Sequence, residues 1–597
     1  MPKLTVYPIG ESIELRRGET VRDALYRAGV ELDTPCNGQG ICGKCRIRAE
    51  NPASVEKTPH PDISADEEAE GIRLACQLTP RKDITIHLLA PYQRNEYRIL
   101  EGQRYPGDRP EEEGHRNVAE DAGVSSKTWH PAARIIESDG DFWLDYERRE
   151  PRQLSAWVAG RPPKGLAIDI GTTTLVVTLL SLETCQELAT ASSLNPQSNY
   201  GHDVVRRIQA GSTPEGLEEL SNCVRNGLNE LIEEVCEETR TSCDEIVDVV
   251  IGGNTTMLQL AAGIDPEPLG RTPFTVGIES GRTYPAEQFG LVVNASARVY
   301  IPPVVHAYIG ADISAGLLVC QGFFEPDHSV LFVDVGTNGE MGLNGGGRCL
   351  MTSTAAGPAF EGMGISSGTR AQIGALERVY TNGHEIIFKS IGNAPIKGIC
   401  GSGIIDITAA LFKLGVIDGS GRMRRPGESE GLVPDIAARL CEVNGKAAFH
   451  VDGDVYFTQE DVRQVQLAKS AVRAAIDILM EEAAIEPEAL ERAVIAGGFG
   501  YSLRSENLAV IGLLPSAIAP KVYFAGNTCR IGCVRLLRNV SNRRFLESHM
   551  QSVEHVTIET RPDFMDRYVS SMEFPEPAEA SSSLASAGSA GVGKTGY

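Results

Sequence analysis

Residues 165–182 read GLAIDIGTTTLVVTLLSL: an apolar run ending in Asp169, a turn of Gly171, Thr172 and Thr173, and a second apolar run. Short apolar runs bounded by turn residues read as buried strands, so the segment reads as strand, turn, strand. The same design returns at residues 329–343, SVLFVDVGTNGEMGL, with Asp334 in the place of Asp169 and Gly336, Thr337 and Asn338 in the turn. Turns of this composition offer backbone N–H groups and hydroxyls to phosphate oxygens, and glycine lets the chain approach closely. An aspartate at the strand end can hold Mg2+, usually through water, or orient an attacking water. One such hairpin would be explained equally well as a tight turn. Two of them, followed by AGGFG at 496–500, form a far more specific pattern.

Around these hairpins the chain of 597 residues is too long for one core, and two to four domains are expected. Hydrophobic residues make up 42% and charged residues 23%, the mix of a soluble globular protein. With 56 Lys+Arg against 80 Asp+Glu, the formal charge of −24 argues against a nucleic-acid partner, which needs a basic footprint. No stretch approaches the roughly 20 apolar residues that span a bilayer, and MPKLTVYPIGESIELRRGET lacks the apolar core of a secretory signal. A cytoplasmic location and no membrane partner are therefore expected.

Residues 1–92 read as a small β-rich unit. KLTVYP and SIELRR are strand candidates, Thr20 caps a helix with Asp23 three residues on, and DITIHLL (83–89) is a last strand. Residues 93–164 read as a linker or reduced middle domain, with an ordered piece around Trp129 to Trp157. Residues 165–565 have α/β character. Their strongest helix pattern is 458–483, where Thr458 and Asp461 form a capping box and Val465, Ala468, Val472, Ile476 and Leu479 share a face. Residues 566–597 are expected to be disordered, with PEPAEASSSLASAGSAGVGKTGY (575–597) low in complexity. The tail's GVGKTG lacks both the spacing of a phosphate loop and a preceding strand.

Fourteen cysteines over this length are too sparse for a disulfide scaffold, but Cys36, Cys42, Cys45 and Cys76 are spaced C-x5-C-x2-C-x30-C. Thiolates are soft ligands for iron–sulfur clusters or zinc. Gly38, Gly40 and Gly43 let the loop wrap a cluster, whereas a zinc ribbon would show two CxxC knuckles. Cys529 and Cys533, with no histidine beside them, read as core cysteines rather than a second metal site, and His306 likewise reads as a core residue.

CNGQGICGKCRI followed by RLACQ resembles a [2Fe–2S] ferredoxin of the β-grasp fold. Five residues separate the first two cysteines, as in the adrenodoxin-like group, where plant-type members have four. The paired hairpins with the late glycine motif resemble the superfamily of actin, sugar kinases and heat-shock chaperones. NPQSNYGHDVVRRI (195–208), GNTTM (253–257), IGADISAG (309–316), AAGPAFEGMGI (355–365), GICGSGIID (398–406) and AGGFGYSL (496–503) narrow it further. With the ferredoxin unit they resemble the reductive activators of corrinoid proteins. The resemblance implies an α+β multidomain chain: a β-grasp ferredoxin domain, then a two-lobed α/β ATPase of ribonuclease-H-like design. The family usually has a distinct middle domain, for which only some 70 residues after residue 92 are available here.

The resemblance implies an activity: ATP-dependent return of an inactive Co(II) corrinoid protein of a methyltransferase system to Co(I), with one electron from the cluster. That transfer runs uphill; a gap of ~100 mV disfavours it roughly 50-fold and amounts to about 2.3 kcal/mol, well within reach of a nucleotide-driven clamp. It also implies a low-potential electron donor as partner, leaves a homodimer open, and calls for a [2Fe–2S] cluster, ATP and Mg2+. Cys36, Cys42, Cys45 and Cys76 would hold the cluster. Gly171, Thr172, Thr173, Gly336, Thr337 and Asn338 would meet phosphates, with Asp169 and Asp334 at Mg2+ or the attacking water. Gly497, Gly498 and Phe499 would line the adenosine pocket, and Gly401 and Gly403 either lie close by or form a tight turn. Glu361 would act in hydrolysis, hinge its loop or sit at the surface; Ser353 and Thr354 would face the corrinoid or cap a turn. Three rivals stand beside this reading: a small-molecule kinase with a redox-sensing ferredoxin domain, a redox-regulated chaperone, and an activator of radical dehydratases.

Overall fold

Both hairpins form. The first runs Lys164–Ile170 into Thr174–Ser181, the second Val330–Val335 into Gly339–Gly345, each an antiparallel pair. The computed structural model of the chain describes residues 2–7, 11–15, 20–27, 30–32, 45–50, 63–80, 82–89, 92–94, 133–138, 141–146, 151–154, 157, 160–201, 203–381, 385–497, 503–558 and 560–575. The chain divides into two units: residues 1–101 with 371–377 and 388–398, and the remainder.

In the first unit, five strands stand in the order Glu11–Glu14, Lys3–Tyr7, Ile84–Leu88, Arg46–Ala49, Ile72–Leu74. Lys3–Tyr7 runs parallel to Ile84–Leu88 while its other neighbour is antiparallel, the mixed pairing of a β-grasp. Alternation puts Leu4, Val6, Ile47, Ile84 and Ile86 on one face, where they bury with Leu25 of the helix Val21–Arg27. That helix starts directly after Thr20, as the sequence predicts.

The second unit contains two six-stranded sheets that repeat one plan. In each, the hairpin strands continue into a third antiparallel strand on one side, while parallel strands flank the first hairpin strand on the other. The first lobe's sheet is backed by the helix Pro214–Thr239, whose Leu220, Val224, Leu228, Leu231 and Val235 recur at helical spacing against Leu166, Ile168 and Val177. Thr213 caps it, its side chain accepting from Gly216 N at 3.1 Å. In the second lobe, the helix Gln459–Glu482 has the expected reciprocal cap: Asp461 N donates to Thr458 Oγ1 at 3.3 Å and Thr458 N to Asp461 Oδ2 at 2.7 Å. A buried pair, Arg543 Nη2 donating to Asp248 Oδ2 at 2.6 Å, ties the helix Ser541–Met550 to the strand Ile246–Gly253.

The ordered piece expected around Trp129 to Trp157 is present, whereas the tail departs from expectation. Within 93–164, Arg134–Ser138, Asp141–Asp145 and Arg152–Leu154 form an antiparallel sheet that buries Leu144, Leu154 and Trp157 against Leu180 and Leu182. The tail expected to be disordered from 566 includes a helix, Phe564–Ser570, followed by a docked strap. Lys469 Nζ donates to Ser571 O at 2.5 Å and Glu573 O at 2.6 Å, Gln466 Nε2 donates to Met572 O at 2.7 Å, and Phe574 buries beside Phe412. Low complexity begins only beyond these anchors. No helix among the described residues is long and apolar enough to cross a membrane.

Candidate functional site

Each hairpin turn closes on itself: Gly171 N donates to Thr174 O and Gly336 N to Asn338 O, both at 2.9 Å. A Cβ on Gly171 would stand 2.9 Å from Thr174 O, so the first turn demands glycine. Gly497, at the end of the strand Arg492–Ala496, has φ +115°, and a Cβ there would meet Val335 O at 2.6 Å. Gly497 therefore lies against the second hairpin, beside Asp334.

Three asparagines hold the first hairpin by the same device. Each caps a helix with its carbonyl oxygen, accepting from a backbone N–H, and uses its amide N–H on the hairpin. Asn195 accepts from Gln197 N and donates to Gly171 O at 2.8 Å. Asn254 accepts from Met257 N and donates to Thr172 Oγ1 at 2.9 Å. Asn527 accepts from Arg530 N and donates to Asp169 Oδ2 at 2.7 Å. Aspartate could cap but not donate; asparagine does both. Arg207, buried, adds Nη2 to Thr172 O at 2.6 Å. Sequence reasoning missed these roles, although Asn195 and Asn254 lie in quoted strings; the usable signal was an asparagine between a strand and a helix pattern.

Glu361 joins the two turns. Thr173 Oγ1 donates to its Oε2 at 3.0 Å and Thr337 Oγ1 to its Oε1 at 2.7 Å. One carboxylate thus spans both lobes.

Four further acids share this region. Burial holds the Asp169 carboxyl above its ordinary range, opposed by the bonds from Asn527 and Cys529. Asp334 is pushed up to about 7, first by burial and then by the charges of Asp169 and Glu361. Asp312 rises to about 8 by burial and by the charges of Asp169 and Asp334. Glu340 is raised well above the carboxylate range by burial, Asp312 and Asp334. Asp334, Asp312 and Glu340 retain some contact with solvent, so these groups are enclosed by protein but open to a ligand. Such an arrangement holds protons at neutral pH and gains from a cation that would neutralise it. Among the described residues no three acidic, histidine or cysteine side chains stand as ligands of one metal ion.

The remaining candidates sort plainly. Gly401 and Gly403 lie in the first turn of the buried helix Gly401–Lys413, which packs against Pro358–Glu361. Ser353 is buried in the strand Arg348–Thr354, opposite Glu340, and Thr354 ends that strand; neither is a turn cap. Cys529 and Cys533 are buried core residues. His306 stacks on His555, ring centroids 4.1 Å apart. Gly498, Phe499, Cys36 and Cys42 lie outside the described residues. In the first unit, Cys45 and Cys76 bring their sulfurs to 3.3 Å, and the Cys76 contact pulls the Cys45 thiol down to about 6. Two buried thiols this close, one of them readily ionised, suit the thiolate ligation of an iron–sulfur cluster.

Comparison with known proteins matches the same three regions. Residues 4–81 match a 2Fe-2S iron-sulfur cluster binding domain, residues 164–322 the RACo middle region, and residues 328–584 the C-terminal domain of RACo, the ASKHA domain. Along almost its whole length the chain is 32% identical to the corrinoid activation enzyme RamQ of Eubacterium limosum, covering 94% of this chain and 98% of that protein. The chain belongs to the reductive activators of corrinoid proteins. Within this family it is also 28% identical to the [Co(II) methylated amine-specific corrinoid protein] reductase of Methanosarcina barkeri, over 61% of this chain and 68% of that one. A solved structure, the reductive activator for corrinoid, iron-sulfur protein, superposes with a TM-score of 0.67 at 28% identity, covering 96% and 98% of the two chains. The family's middle region thus matches the first lobe of the second unit; residues 93–163 precede that match.

Proposed function

We propose that this chain passes one electron to the Co(II) form of a corrinoid protein of a methyltransferase system, regenerating Co(I), and uses ATP to do so. The observation that carries the proposal is the end-to-end likeness to a corrinoid activation enzyme of a chain that joins a cluster-binding β-grasp to a two-hairpin ATPase.

Cys36, Cys42, Cys45 and Cys76 would hold a [2Fe–2S] cluster, which when bound supplies a one-electron carrier at low potential. Gly171, Thr172, Thr173, Gly336, Thr337 and Asn338 offer N–H and hydroxyl donors to the phosphates. Asp169 and Asp334 supply carboxylates for Mg2+ or the attacking water. Gly497, Gly498 and Phe499 take the adenosine side, with Gly401 and Gly403 behind the Glu361 turn. Glu361 accepts from the hydroxyls that the phosphates would also use, so nucleotide binding and the carboxylate bridge compete for Thr173 and Thr337. That competition links occupancy of the site to the tie between the lobes, the kind of two-state element a clamp needs.

The test is an anaerobic mixture of the chain, a low-potential donor, ATP with Mg2+, and corrinoid proteins in the Co(II) state, followed by visible absorption. Co(I) should appear only with the chain present, and corrinoid protein should stimulate ATP hydrolysis. Transfer of phosphate to a small molecule, with no response to any corrinoid protein, would favour the kinase reading instead.

A further inference from the structure

Cys236 and Cys243 stand apart from both the cluster loop and the nucleotide site. Cys236 is buried near the end of the helix Pro214–Thr239; Cys243 opens the short turn of helix Cys243–Glu245 and is partly exposed. Their sulfurs are 3.4 Å apart. The chain is brought back on itself by a left-handed cap: Arg240 takes φ 55°, Thr241 N donates to Cys236 O at 2.9 Å, and Thr239 Oγ1 donates to Val235 O at 2.7 Å. A capping box, Ser242 with Glu245, then fixes the direction in which Cys243 leaves the turn. The two thiols are thus held together by the backbone rather than by chance rotamers.

We infer that Cys236 and Cys243 form a redox-active dithiol, convertible to an intramolecular disulfide by small-molecule disulfides of the glutathione class. The accessible group reacts first: the contact with Cys236 pulls the Cys243 thiol down to about 7, against burial and the nearby Asp244 and Glu233 charges. Cys236 is correspondingly raised, by that contact first and then by burial, and waits as the resolving thiol. In the first step the Cys243 thiolate attacks one sulfur of the oxidant, forming a mixed disulfide and expelling one small thiolate. In the second, Cys236 loses its proton and attacks Cys243 Sγ, expelling the other. Two protein thiols become one disulfide, the oxidant gains two electrons, and the two protons leave with the two small thiols. Closure would fix the turn between the long helix and the strand Ile246–Gly253, whose end leads into Asn254 and its bond to Thr172. Cys529 and Cys533 offer no comparable entry, since both are buried.

The experiment uses the full chain, prepared anaerobically and equilibrated in buffers of oxidised and reduced glutathione, then alkylated and digested with trypsin. Cleavage after Arg240 separates the two cysteines, so a disulfide appears as peptide 226–240 joined to peptide 241–271. The linked pair should accumulate with the oxidised fraction and vanish on adding dithiothreitol. Cys236→Ala, a small change at a buried site, should stop the reaction at a glutathione adduct on Cys243. If both cysteines are alkylated at every ratio, or if Cys236→Ala carries no adduct, the dithiol assignment is wrong.

Discussion

Asp334 ends a buried strand, and its carboxyl is pushed up to about 7 by burial and by the charges of Asp169 and Glu361. If its ionised form serves Mg2+ or water, hydrolysis falls as the pH drops through about 7, and bound Mg2+ moves that midpoint lower. Asp334→Asn should reduce ATP hydrolysis by roughly 10²–10⁴-fold and flatten this pH response, as a coupled phosphate-release assay would read. Asp312 tells the complementary story about stability. Its folded pKa of about 8 lies above the ordinary aspartate value, so its contribution is present below the carboxylate range and is lost as pH rises toward 8. Asp312→Asn keeps an oxygen to accept from Ile313 N but removes the ionisation. Its thermal midpoint should exceed that of the unmodified chain by roughly 2–5 °C at pH 8, with the gap shrinking toward pH 5. A constant gap would show that the carboxyl is not so shifted.

The helix Thr528–Arg538 is positioned by a residue that works in two directions. Asn527 Oδ1 caps it while Nδ2 reaches Asp169, on a strand more than 300 residues earlier. Asn527→Ser keeps a good cap, so stability should change by no more than about 0.5 kcal/mol. Serine is too short to donate to Asp169 as well, and hydrolysis should fall by roughly 10–100-fold because the aspartate loses its orientation. Thermal unfolding and ATPase assays on one variant separate the two effects; a stability loss without a rate loss would reverse the assignment. This element also shows where sequence is a sufficient guide. The hairpins, the Thr458–Asp461 cap and the long helix after it are legible because a strand, a turn or a cap is specified within a few neighbouring residues. Asn527 on Asp169, Glu361 between Thr173 and Thr337, and Glu340 beside Asp312 are not, because each is a contact across lobes or sheets that only tertiary packing creates. The sheet of residues 134–154 was legible only as an ordered piece and not as paired strands, because those short strands gain their burial from the first lobe rather than from one another.

Two chemistries meet in this chain: a β-grasp that presents paired buried thiols, and a duplicated hairpin lobe whose turns one carboxylate ties together. The cysteine spacing and the hairpin repeat made both legible, as did the resemblance to the corrinoid-protein activators. What the strings did not disclose is the tie itself, in which one carboxylate accepts from the same two hydroxyls that are proposed to meet the phosphates. A chain built this way should require ATP hydrolysis for sustained electron delivery, not merely nucleotide binding. The deciding measurement follows Co(I) formation by visible absorption in a fixed mixture of chain, Co(II) corrinoid protein and low-potential donor, with ATP, with a non-hydrolysable analogue, and without nucleotide. The account predicts repeated turnover with ATP alone and, in the other two arms, at most one equivalent of Co(I) per chain. Equal rates and extents in all three arms would contradict it.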